Sequence, residues 1–185
     1  MTDPTPASPT PAPPTLVHPT LDLAPLGSAD LAQIERLDER AFGPGRFTRT
    51  AYRLREGVPP DAGLSFVARI GTFLVGANRM TPVRCGATKA LLLGPLTVEP
   101  AFQQRGIGEA LMERSLAAAR AAGHTLVILV GDEPYYARVG FKRVPPGRLT
   151  MPGPVDPARL LYCELVPGAF DGVSGRISRE TDEQG

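Results

Sequence analysis

The sequence predicts an α/β domain whose central sheet mixes parallel and antiparallel strands. Three observations carry that expectation. Ala90 to Val98, Gly106 to Ala122 and Thr125 to Val130 alternate strand, helix, strand, at a spacing that makes the two strands parallel. Leu64 to Ile70 and Thr72 to Met80 are strand-like runs with little more than Gly71 between them, the pattern of a hairpin. The run from Thr125 to Val130 is apolar at strand length, as suits a strand covered on both faces.

The elements follow in order. Prolines at Pro4, Pro6, Pro9, Pro11, Pro13 and Pro14 fill a start rich in threonine and alanine. Residues 1–18 therefore read as a disordered, partly polyproline-like tail, because such a composition buries too little apolar surface to offset chain entropy. This start also lacks the basic residues and apolar run of a secretory signal. A single domain is expected over 19–173, opening with a short strand from Thr20 to Leu26. Ser28 is the expected N-cap of a helix whose Leu31, Ile34, Leu37 and Phe42 share one face, stopped by Gly43-Pro44-Gly45. A second short helix is read from Thr48 to Glu56, ended by Gly57 and Pro59. In the helix after the hairpin, Ile107, Leu111, Met112, Leu116 and Ala119 recur at three to four residues, and Gly123 follows as a C′ residue. A helical segment around Tyr135 to Val139, a strand from Phe141 and a last strand near Leu160 to Val166 complete the domain. Residues 174–185 read as a flexible, charged C-terminal tail.

Bulk properties narrow the function classes. The 185 residues suit one domain, and 42% hydrophobic residues suffice for a core. No stretch approaches the ~20 apolar residues of a membrane span. A net charge of +1 gives no global attraction to nucleic acid or anionic lipid, so neither is expected as a partner. Cys85 and Cys163 are too few for a disulfide framework and read as reduced thiols, which points to the cytoplasm. With His18 and His124 they match no metal-ligand spacing, so no metal is expected.

The strongest chemical signal lies between the parallel strand and its helix, at Gln103-Gln104-Arg105-Gly106-Ile107-Gly108. Glycines at alternate positions let backbone amides converge on one concavity without side chains in the way. The helix that starts there adds amides without intrahelical partners and the positive end of its dipole, so a pyrophosphate fits. Arg105 adds a charge-assisted contact. A P-loop would need Gly-Lys-Ser/Thr, where Glu109-Ala110 stands instead. A dinucleotide fold would need a third glycine and an acidic residue about twenty positions on, and neither is clean. Taken bare, two glycines in a turn are weak evidence and read more readily as structural, since turns recruit glycine routinely.

With those residues in view, the sequence resembles the GNAT superfamily of N-acetyltransferases. The resemblance rests on Leu96-Thr97-Val98-Glu99-Pro100 followed by Gln103 to Gly108, and on Tyr136-Ala137-Arg138-Val139-Gly140-Phe141, in the family's order and separation. Leu92-Leu93-Gly94-Pro95-Leu96, Val130-Gly131-Asp132, Tyr135-Tyr136 and Leu165-Val166-Pro167-Gly168 resemble more narrowly the YhbS-like predicted acetyltransferases. It implies the acyl-CoA N-acyltransferase fold, a mixed sheet in which the fourth and fifth strands run parallel and splay apart around acetyl-CoA. Leu96, Thr97 and Val98 would then meet the pantetheine arm, and Gln103, Gln104, Arg105, Gly106, Ile107, Gly108 and Glu109 the pyrophosphate. Independently of the family, proline within Gly94-Pro95 cannot donate a ladder bond, so a bulge or lost pairing is expected there.

The resemblance further implies transfer of an acetyl group to a primary amine, of a small molecule or a protein. Tyr136 would be the general acid: a phenol near pKa ~10 can meet a departing thiolate whose conjugate acid lies near ~8.5. A backbone amide near Leu96 to Val98 would face the developing oxyanion. Many family members carry a strand glutamate near the register of Gly94 and Pro95, and this chain has none. The base is then ordered water, Asp132 or Glu133, with Asp132 read alternatively as a helix cap and Glu99 as a solvated turn residue. That gap leaves a second expectation, a non-catalytic acyl-CoA sensor or interaction module on the same fold. Arg46, Arg49, Tyr52, Arg53 and Arg55 make the region around the second helix basic, either to meet an acidic acceptor or as a solvated face. Dimerisation is common in the family and is not legible here.

Overall fold

The apolar runs assemble into one nine-stranded sheet in a computed structural model that describes residues 20–45 and 50–180. Seven strands lie side by side: β1 (Leu21–Pro25), β2 (Phe66–Ile70), β3 (Phe73–Cys85), β4 (Thr88–Val98), β5 (Leu126–Val130), β8 (Leu160–Glu164) and β6 (Lys142–Arg143). The first four pair antiparallel, β4 and β5 run parallel, and β8 returns antiparallel to β5. The fold is thus the expected mixed α/β architecture. Helix α3 (Ile107–Ala121) makes the crossover between β4 and β5, and Gly123, at φ +84°, turns the chain out of it.

Alternation along the strands gives the sheet two buried faces. Leu91, Leu93, Val127 and Leu129 pack with Met112, Leu116 and Ala119 of α3. Their neighbours Ala90, Leu92, Leu126 and Ile128 point the other way, against Leu54, Phe170, Val173 and Ile177. Helix α1 (Leu31–Phe42) lays Ile34 on Val67 and Ala77, on the face of β2 and β3 opposite α3. Its start differs from expectation. A 3-10 turn, Ser28–Asp30, precedes it, and the Asp30 carboxylate accepts the Gly27 N–H at 2.9 Å, so Asp30 rather than Ser28 closes this end. Helix α2 is shorter than expected, Thr50–Arg53, because the chain turns from Leu54 to reach Gly57 at φ +74°. The expected start of that helix at Thr48, with Arg46 and Arg49, lies outside the described residues.

Two corrections concern the far end of β3. That strand runs on past Met80, through Pro82, to a turn at Gly86-Ala87. Proline is tolerated because β2 pairs only as far as Asn78 on that edge. The vacant edge is then taken from Val83 to Cys85 by β9 (Gly175–Arg179), which also pairs with β7 (Leu149–Thr150). The part of the expected flexible tail from Gly175 to Arg179 is therefore a strand, and its Ile177 is fully buried.

Candidate active site

Strands β4 and β5 stay together only briefly. Their register holds at Leu91 with Val127 and Leu92 with Ile128, and beyond it each strand is paired on its outer side alone. The cause is local. Between Asn78, which faces Leu96, and Met80, which faces Leu93, β4 carries one residue too many, a bulge at Gly94-Pro95. Glu99 donates its N–H to the Val75 carbonyl at 2.8 Å, which sets the phase of the pairing that follows. By alternation Thr97 also turns its main chain toward β3, leaving the main-chain groups of Leu96 and Val98 facing the gap. The Val98 carbonyl accepts a bond from the Gln103 side chain at 3.3 Å.

The Gly-x-Gly turn lies beside that opening. Gly106 adopts φ +76°, ψ 0°, and Gln104 also has positive φ, at 62°. The first bond of α3 runs from Ala110 N–H to the Gly106 carbonyl at 2.9 Å, so the amides of Ile107, Gly108 and Glu109 precede the ladder. No side chain caps this end. Gln103, Gln104, Arg105 and Gly106 are exposed, and Arg105 lies over the Phe102 ring at 5.3 Å. Ile107 and Thr97 turn their side chains inward, Ile107 into the core and the Thr97 hydroxyl to Asp38 at 2.6 Å. Ile107 therefore offers the opening at most its backbone, and Thr97 turns both side chain and main chain away from the gap.

A cavity of about 540 Å³ fills the fork of the two strands. Leu93 to Leu96 and Val130 to Asp132 wall it, with Tyr135 and Tyr136 from α4 (Glu133–Tyr136). The Tyr136 ring fills the space that Gly131 leaves empty and meets Phe141 edge-on at 6.0 Å. Burial, with Tyr135 and Asp132 nearby, pushes its phenol up to about 12, against the pull of Arg159 and Arg55. Its proton is therefore held throughout the neutral range. Tyr135, expected to turn elsewhere, enters the same cleft, and its hydroxyl occupies the place where a side chain on Gly108 would begin. It bridges the cavity to the glycine turn.

The carboxylates near the cavity are engaged. Asp132 pairs with Arg159 at 3.1 Å and makes no capping bond to α4. Glu133 pairs with Arg143 at 2.6 Å, and Glu99 with Arg40 at 2.6 Å, so Glu99 is not merely a solvated turn residue. Asp38, buried on α1, holds Thr97 and Arg79. Asp156 accepts the Ala158 N–H at 2.9 Å. Of the residues noted around the second helix, Arg55 and Tyr52 line the cavity, whereas Arg53 is exposed. Among the described residues no helix is long and apolar enough to cross a membrane, and no three His, Cys, Asp or Glu side chains gather as metal ligands.

A mixed sheet forked between two parallel strands, with open amides at the following helix, defines an acyl-CoA N-acyltransferase fold. Comparison with known proteins agrees. A family model of the acetyltransferase (GNAT) domain matches residues 61–143. It is 28% identical over 118 residues to the uncharacterized N-acetyltransferase YjhQ of Escherichia coli K12, a match covering 62% of this chain and 65% of that protein. Its fold resembles E. coli YhbS, a GNAT family N-acetyltransferase solved with CoA, at a TM-score of 0.73, 21% identity and coverage of 95% and 98%. A GNAT family acetyltransferase of Brucella melitensis, solved with acetyl-CoA, superposes at 0.59 with 29% identity, covering 83% of this chain and all (100%) of the other.

Proposed function

We propose that the protein transfers an acetyl group from acetyl-CoA to a primary amine, with Tyr136 as general acid. One observation carries the reading: the fork of β4 and β5 opens directly onto the unladdered amides at the start of α3. The main-chain groups of Leu96 and Val98 can pair with a pantetheine arm as an added strand would. The turn from Gln103 to Glu109 would hold the pyrophosphate, since its donors converge on the positive end of α3. The thioester would then reach the cavity beside Tyr136.

Within that frame the acceptor nitrogen attacks the thioester carbonyl, a C–N bond forms, and the C–S bond breaks. A main-chain N–H facing the gap near Leu96 donates to the oxygen as its charge develops. Tyr136 gives its phenolic proton to the departing sulfur, and its lost proton returns by way of the acceptor amine and solvent. Ordered water is favoured as the base, because Asp132 and Glu133 are each held by an arginine. Tyr136→Phe separates this from a sensor on the same fold. Free-thiol release across a panel of amines should fall about 10²–10⁴-fold, with acetyl-CoA affinity by calorimetry nearly unchanged. Equal turnover in both forms would remove Tyr136 from the chemistry, and no turnover by the wild type on any amine would favour the sensor.

A further inference from the structure

We infer that Arg55 selects an acceptor that carries a carboxylate besides its amine, an inference that rests on the acetyl-transfer reading above. Arg55 follows α2 and lines the cavity between Tyr52 and the β4 bulge. Its Nε is shut off from solvent and has no hydrogen-bond partner. Its Nη2 makes one long contact, 3.5 Å, to the Leu93 carbonyl. Gly94 gives it room: a Cβ there, at φ +110°, would stand 3.2 Å from Nη2. A guanidinium has five donors in a planar fork, so most of these donors have no acceptor among the described residues.

The surrounding charges do not satisfy it. Asp38 raises its proton affinity from a distance but spends its oxygens on Thr97 and Arg79. Burial and Arg79 together pull Arg55 down to about 9, still well above neutrality, so the cation is present. Among the described residues, the other cation lining the cavity, Arg159, is already taken by Asp132. With Nε closed off, the Nη atoms are the part a ligand can reach, and a partly buried, under-bonded guanidinium facing a cavity is costly unless a ligand completes it. A carboxylate matches its fork with two parallel bonds. Asp132 and Asp156, on the exposed rim, suit the approach of the ammonium end of the same molecule.

The test uses matched probes, N-acetylglycine, N-acetylaspartate and N-acetylphenylalanine against their carboxamides, titrated into the full chain by ligand-observed NMR. The carboxylates should bind more tightly than about 10 mM and at least about ten-fold better than the amides. Arg55→Gln should erase that preference, Arg55→Lys should keep part of it, and Arg159→Gln should leave it in place. Wild-type protein that does not distinguish the pairs, or binds neither, overturns the inference without reference to any variant. Persistence of the preference in a folded Arg55→Gln protein, judged by its melting curve, overturns it too. A separate titration with acetyl-CoA tells the two failures apart. If acetyl-CoA binds and the probes are not distinguished, the anion assignment alone is lost. If wild-type protein does not bind acetyl-CoA, the acetyl-transfer reading is lost.

Discussion

A Cβ on Gly131 would stand 2.2 Å from Cε2 and 2.8 Å from Cδ2 of Tyr136, with Leu129 at 3.0 Å behind it. Glycine at 131 is what lets the phenol sit over the fork. Gly131→Ala must push the ring outward, so turnover should fall nearly as far as with Tyr136→Phe. Stability should drop by about 1–3 kcal/mol, the usual cost of overpacking, read by urea denaturation. Unchanged turnover in Gly131→Ala would show that the ring position does not matter. At this scale the sequence revealed what is local. Gly106, Gly108 and Tyr136 stand in contiguous motifs, and the structure sets them around one opening. The sequence turns Tyr135 elsewhere and leaves Arg55 between meeting an acidic acceptor and a solvated face, because both roles depend on which way a side chain turns after folding. The hydroxyl of Tyr135 enters the cleft through the gap at Gly108, and Arg55 through the gap at Gly94, more than a dozen residues away in each case.

Elements were legible where the apolar period was strong. The β4–α3–β5 unit follows the alternation closely, because both of its strands are buried on two faces. The last strand escaped notice for a physical reason. In Gly175-Arg176-Ile177-Ser178-Arg179 a single side chain, Ile177, faces the core, so no period can be seen. Long β3 likewise hid behind Pro82, which reads as a break until the vacant edge beside it is known. The strand makes a prediction that a frayed tail would not. Ile177→Ala should cost about 2–5 kcal/mol of unfolding free energy in urea. A change near zero would return these residues to the tail.

Over the whole molecule, two buried acids tie stability to alkaline pH. Burial raises Cys85 from 9.0 to about 12, and burial with neighbouring charge raises Tyr136 from 10.0 to about 12. Both hold their protons more tightly folded than unfolded, so their contribution is complete below pH 9.0 and is lost as pH climbs toward about 12. Arg55, pulled down to about 9, works in the opposite sense over the same interval, so the acids are read by difference. The wild type's urea midpoint, set against that of Cys85→Ala, should keep its lead to about pH 9 and lose it steadily above. A lead that grew over that interval would contradict the sign. The central claim joins the two halves of the site: the forked strands take the pantetheine arm while the glycine turn takes the pyrophosphate. A crystal structure of the chain soaked with CoA tests it most directly. The account predicts diphosphate oxygens within hydrogen-bond distance of the amides between Gln104 and Glu109, and the arm alongside Leu96 and Val98. CoA lodged elsewhere, or a fork left empty at saturating CoA, would contradict it.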